Sequence, residues 1–97
     1  MPRIHSPSRP GQILEELYIK PHQLTITEVA EALGVARKNL YAIISGEYSI
    51  SVDMAFKLSQ AFDTTPEFWL QAQMNYDLAN GYKEAAKLKI KRLVKKG

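Results

Sequence analysis

The 97-residue chain carries 13 Lys and Arg against 10 Asp and Glu, a formal net charge of +3, with 45% hydrophobic residues and no cysteine. That length suits one domain with a thin core; the missing cysteine excludes a disulfide framework and a thiolate metal site. No apolar run approaches the roughly 20 residues that span a bilayer, and "MPRIHSPSRPG" lacks the apolar segment of a signal peptide, so a soluble cytoplasmic protein is expected.

The pattern predicts five helices and no strand. Residues 1–9, rich in Pro and Ser, read as an arm. Pro10 opens the first helix. Ile13, Leu14, Leu17 and Tyr18 recur at helical spacing through "PGQILEELYIK", and Pro21 stops it. In "LTITEVAEALG", Thr25 followed by Glu28 is a capping-box pattern. Val29, Ala30 and Leu33 give that second helix its inner face, and Gly34 supplies the turn. The third helix, about Ala36 to Ser45, ends at Gly46, a residue free to take positive φ.

Ser51 is placed to cap a fourth helix, "VDMAFKLSQAF", whose inner stripe reads Val52, Ala55, Phe56, Ser59 and Phe62. Thr65 caps a fifth, with Pro66 in its first turn. That helix carries two oily stripes, Trp69, Ala72 and Tyr76 beside Leu70, Met74 and Leu78, and so needs two surfaces to bury them. One can be its own domain; the other points to a second subunit. Trp69, Leu70, Met74, Tyr76 and Leu78 are therefore the expected homodimer interface.

Gly81 reads as an interruption, which gives a domain over 10–82 and a tail over 83–97. The tail has helix-favouring composition, although Leu88 and Ile90 also fit strand alternation. It holds seven of the 13 bases and one of the 10 acids, leaving six bases and nine acids in residues 1–82. The basic character therefore belongs to the tail, either as a solvated charge run or as an extension that follows phosphates.

The informative unit is Ile26 to Ser45. Ala30 sits four residues before Gly34, where two short helices come closest and only a small side chain fits. Leu33, Val35, Leu40 and Ile43 fill the angle between them. These offsets are those of a helix-turn-helix, whose second helix lies in the major groove while the first touches the backbone. Position then assigns base contacts to Ala36, Arg37, Lys38, Tyr41 and Ala42. Arg37 and Lys38 are candidates for guanine O6 and N7, or for phosphate alone. Ala42 is small and apolar, suited to close approach and a thymine methyl. Thr27, Asn39, Ser45 and Tyr48 are the expected phosphate contacts.

At this point the chain resembles a known family. "PGQILEELYIKP", "LTITEVAEALGVARKNLYAIISG", "DMAFKLSQAF" and "TTPEFWLQAQMNYDLA" together look like the HigA-type antitoxins, within the lambda-repressor-like, XRE-type helix-turn-helix class. The likeness runs from about Pro10 to Ala79. It implies an all-α, five-helix domain that dimerises. It further implies binding of a HigB toxin, a RelE-like ribonuclease that cuts messenger RNA, and repression of the protein's own operon from a palindromic operator. Three positions depart from the family's habit. Ala42 stands where a polar or basic residue is common, Ser45-Gly46 where Asn-Gly is common, and Glu47 where a base is frequent. A stand-alone repressor without a toxin shares the same fold and operator.

Other classes find little support. His5 and His22 have no motif partner for acid–base or metal chemistry. No glycine-rich phosphate loop and no nucleophile-elbow serine occur. No enzyme, cofactor or metal is expected. Phe68, Trp69 and Tyr76 read as core or interface before they read as a ligand box.

Overall fold

The computed structural model describes residues 7–95. Most of the expected arm, His5 included, and the last two residues of the tail lie outside them. Among the described residues the chain forms five helices and no strand. α1 is Pro10–Leu14, continued by a π-helical turn over Glu15–Ile19; α2 is Ile26–Leu33, α3 Arg37–Ser45, α4 Val52–Phe62 and α5 Pro66–Ala85. α1 packs on α3 and α5, α2 on α3 and α4, and α4 on α5.

The helix ends follow their local chemistry. Glu28 N–H donates to Thr25 Oγ1 at 3.1 Å, and Thr25 N–H to the Glu28 carboxylate at 2.8 Å, closing the capping box of α2. Ser51 Oγ accepts from Met54 N–H, and Thr65 Oγ1 from Phe68 N–H, both at 3.1 Å. Each such cap is worth about 1 kcal/mol. Gly34 and Gly46 close α2 and α3 in the left-handed region, at φ 70° and 89°.

The core joins Leu14, Ile19, Val29, Ala30, Leu33, Leu40, Ile43, Ile44, Ile50, Met54, Ala55, Leu58 and Trp69. Three expectations about helix faces need correcting. In the π-helical continuation of α1 each residue turns less about the axis, so the phase falls behind that of an α-helix, Ile19 goes inward and Leu17 is left exposed. In α4, the buried face is Met54, Ala55, Leu58 and Ser59, while Val52 and Phe56 lie more than half exposed. Gly81 does not interrupt α5, which continues to Ala85; residues 88–95 then run without helix or strand. The helical reading of the tail is thus replaced by irregular backbone in which Leu88, Ile90, Leu93 and Val94 are exposed.

Trp69 is also reassigned, because it is fully buried inside the domain. Its ring lies 5.5 Å from Tyr18 and 5.0 Å from Phe68, centroid to centroid, and Tyr18 in turn lies 5.4 Å from Phe62. The indole N–H donates to Thr64 Oγ1 at 2.8 Å, so its polar edge is satisfied as well. A side chain so enclosed is core and offers nothing to a second subunit. Leu70 packs against the same core, Tyr76 is half-buried, and Met74 and Leu78 are exposed.

Candidate nucleic-acid interface

α2 and α3 meet across Gly34, whose N–H bonds back to Glu31 O while Val35 N–H reaches Ala30 O at 3.0 Å. Ala30, the small residue four positions before Gly34, is buried. Leu40, Ile43 and Ile44 pin α3 inward. A second clamp comes from α1. A side chain on Gly11 would run into the carbonyl oxygen of Ile43 and come within 2.5 Å of Ile44 Cα. Backbone therefore meets backbone, and α3 is held from two sides.

The outer face of α3 carries Arg37, Lys38, Asn39 and Tyr41, all exposed, with Ala36 exposed at the N-cap. Ala36 makes no side-chain cap, and no acid lies in the first turn. Two cations therefore stand at the positive end of the helix dipole, against local preference by some tenths of a kcal/mol each. Sequences break such local rules mostly at functional sites. An anion at this end would relieve the conflict. Among the described residues, neither Arg37 nor Lys38 forms an ion pair.

Ala42 is placed differently from expectation. It is 8% exposed and belongs to the buried side of α3. It forms the floor of a surface depression of about 280 Å³, lined also by Lys38, Tyr41, Ser45, Glu47 and Tyr48. Ala42 is thus recessed, where the other expected base contacts, Ala36, Arg37, Lys38 and Tyr41, are exposed.

Thr27 is exposed in the first turn of α2 and Tyr48 in the loop after α3, where phosphate contacts were expected. Ser45 is exposed too, but its hydroxyl proton is engaged. Its Oγ donates to Ala42 O at 3.1 Å and accepts from Glu47 N–H at 3.4 Å. Tyr48 N–H also bonds Ala42 O, at 3.0 Å, and Gly46 N–H bonds Ile43 O. The amides of Gly46, Glu47 and Tyr48 are thus all taken up by the end of α3, while the Tyr48 side chain stays exposed.

Two further residues shape this region without a signal in the sequence pattern. Arg9 lays its side chain over Gly46, where a Cβ would stand 2.5 Å from Arg9 Cδ, and donates to Ile44 O at 3.3 Å. Its charge thus caps the negative end of α3. Gln73 of α5 is buried and takes the N–H of Ile50, which ends the loop. A lone base before Pro-Gly, and a polar residue on an oily helix face, are the only marks these residues leave.

Among the described residues no group of three or more His, Cys, Asp or Glu could hold a metal, and no helix is long and apolar enough to cross a membrane.

Two short helices hinged at a left-handed glycine, with unpaired bases leading the second, define a small all-helical helix-turn-helix domain. The chain belongs to the Helix-turn-helix family, whose model matches residues 16–69, a family of DNA-binding domains and not of enzymes. It is 42% identical over 72 residues to an uncharacterized HTH-type transcriptional regulator of Haemophilus influenzae, a stretch covering 74% of this chain and 67% of that protein. The chain spans about two thirds of the length of such regulators, 64% in the YbaQ regulator of Escherichia coli. Among solved structures, antitoxin GraA superposes with a TM-score of 0.84 at 35% identity, over 93% of this chain and 100% of that one. The antitoxin HigA of Pseudomonas aeruginosa, solved with the higBA promoter, superposes with a TM-score of 0.81 at 32% identity, over 91% and 99%.

Proposed function

We propose that this protein is an antitoxin that represses its own operon. As a dimer it binds a palindromic operator, with α3 in the major groove and α2 against the backbone. It also neutralises a RelE-like, mRNA-cleaving toxin of the HigB kind. The observation that carries the DNA-binding part is the exposed, unpaired Arg37 and Lys38 at the start of a helix whose other face is locked into the core. The toxin part is supported by the two structural relatives, both antitoxins, one of them solved with promoter DNA.

Arg37→Ala tests the base-reading role. It should lower the preference for the operator over random DNA by about 5–150-fold, the equivalent of the 1–3 kcal/mol carried by one bidentate contact. An unchanged ratio removes Arg37 from base reading.

A stand-alone repressor is the second reading, favoured by the relative from Haemophilus influenzae that is described only as a transcriptional regulator. Purification from the native locus separates the two: a co-purifying small basic protein supports the antitoxin, and a chain that always runs alone with its DNA supports the repressor.

A further inference from the structure

We propose that Lys38 and Glu47 read a single G·C base pair together, from two sides of the depression beside α3. The inference rests on DNA reading by α3, as argued above, and adds a base identity to it.

Lys38 belongs to the first turn of α3 and Glu47 to the loop after it, nine residues on, yet both line the same hollow. Tyr41 and Tyr48 line it too, and the recessed Ala42 is its floor. Both charged residues are exposed, and neither side chain takes an ion pair or a hydrogen bond among the described residues. The loop that carries Glu47 is fixed by the bonds of Ser45 Oγ and Tyr48 N–H to Ala42 O. Two opposite charges thus line one concavity, and neither side chain is engaged by another among the described residues.

Their chemistry is complementary to one edge. An ammonium only donates and a carboxylate only accepts. In the major groove a G·C pair presents two acceptors, N7 and O6, on guanine and one donor, the N4 amine, on cytosine. Lys38 over guanine leaves Glu47 facing the cytosine amine. An A·T pair in the same place sets thymine O4 and its methyl against the carboxylate, an acceptor against an acceptor. The reversed C·G pair turns the amine toward the ammonium. Glu47 would also be repelled by phosphate, so a carboxylate in this loop gains most by facing the groove.

The test is selection of bound duplexes from a randomised pool by the full-length chain, by Lys38→Ala and by Glu47→Ala, with circular dichroism to verify folding. The wild-type chain should select G·C at one position in each half-site. Each variant should relax that same position by about tenfold or more, the range for a lost base contact, and leave the others unchanged. Replacing that pair by inosine·cytosine, which keeps the major-groove edge, should leave wild-type affinity within about twofold. The proposal is overturned if the two variants relax different positions. It is equally overturned if Glu47→Ala tightens binding to all duplexes alike, which marks the carboxylate as a phosphate-repelling group only. A wild-type chain that selects no sequence overturns this inference and the operator reading together, a result distinct from either.

Discussion

Gln73 reaches from α5 to accept the backbone N–H of Ile50 at 2.7 Å, a buried bond across 23 residues of chain. Its amide nitrogen meanwhile donates to Asp77 at 2.9 Å. The bond ties the end of the α3–α4 connection to the last helix of the core. Gln73→Leu keeps the bulk and strands a buried donor, which costs about 1–3 kcal/mol. Urea unfolding should show a lower midpoint at unchanged slope; a midpoint equal to wild type would mean that water satisfies Ile50 instead.

Gly11 and Gly81 make opposite predictions for the same substitution. At Gly11 a methyl group has no room, since Ile44 Cα and O lie 2.5 and 2.6 Å from where it would sit. Gly11→Ala should force α1 off α3 and destabilise by about 1–3 kcal/mol, as overpacking does. At Gly81, inside α5, nothing lies within 4 Å of the added methyl. Gly81→Ala should stabilise by about 0.5–1 kcal/mol through helix propensity alone. Thermal melts of the two variants check both signs, and a Gly11→Ala protein that melts at or above wild type contradicts the close approach.

The homodimer seam is proposed on the outer stripe of α5. Met74 and Leu78 are 48% and 47% exposed, one turn apart, on a helix whose inner side is already filled by Trp69 and Gln73. Leu70 is a poor probe because it packs on the core, where a charge would unfold the domain. Changing Met74 and Leu78 to Asp should convert a dimer to a monomer with the melting curve of an intact fold. If sedimentation still reports a dimer, the seam lies on another face.

The tail can be removed cleanly after Ala86, because α5 ends at Ala85. The deleted residues 87–97 hold six bases and no acid. If they follow the phosphate backbone, the slope of log affinity against log salt should become shallower by about 0.9 for each phosphate released. A slope that does not change assigns the tail to solvation.

The helix ends and the turn were legible in the sequence because their chemistry is local. Thr25 with Glu28, Ser51, Thr65, Gly34 and Gly46 each act on backbone within a few residues, so spacing alone identifies them. The phases of α1 and α4 were not. The π-helical turn at Glu15–Ile19 moves every later side chain of α1 round the axis, and periodicity counted at 3.6 places Leu17 inside. Trp69 shows a further gap. Apolarity says that a side chain will be buried, but only the cage of Tyr18, Phe68 and Thr64 decides that it is buried within its own chain. On the site, Arg37, Lys38 and Tyr41 are exposed on α3, as their offsets from Gly34 suggest, while the recess at Ala42 depends on how the loop folds back. Arg9 and Gln73 act across 35 and 23 residues, and a single sequence records no such pairing.

Four amides of the loop after α3 are taken up inside the domain: Gly46 by Ile43, Glu47 by Ser45, Tyr48 by Ala42 and Ile50 by Gln73. Its shape is therefore settled when the chain folds and not when it meets a partner. A surface that arrives pre-shaped surrenders little conformational freedom on contact, so complexes formed through it should be governed by how long they last and not by a slow rearrangement on the way in.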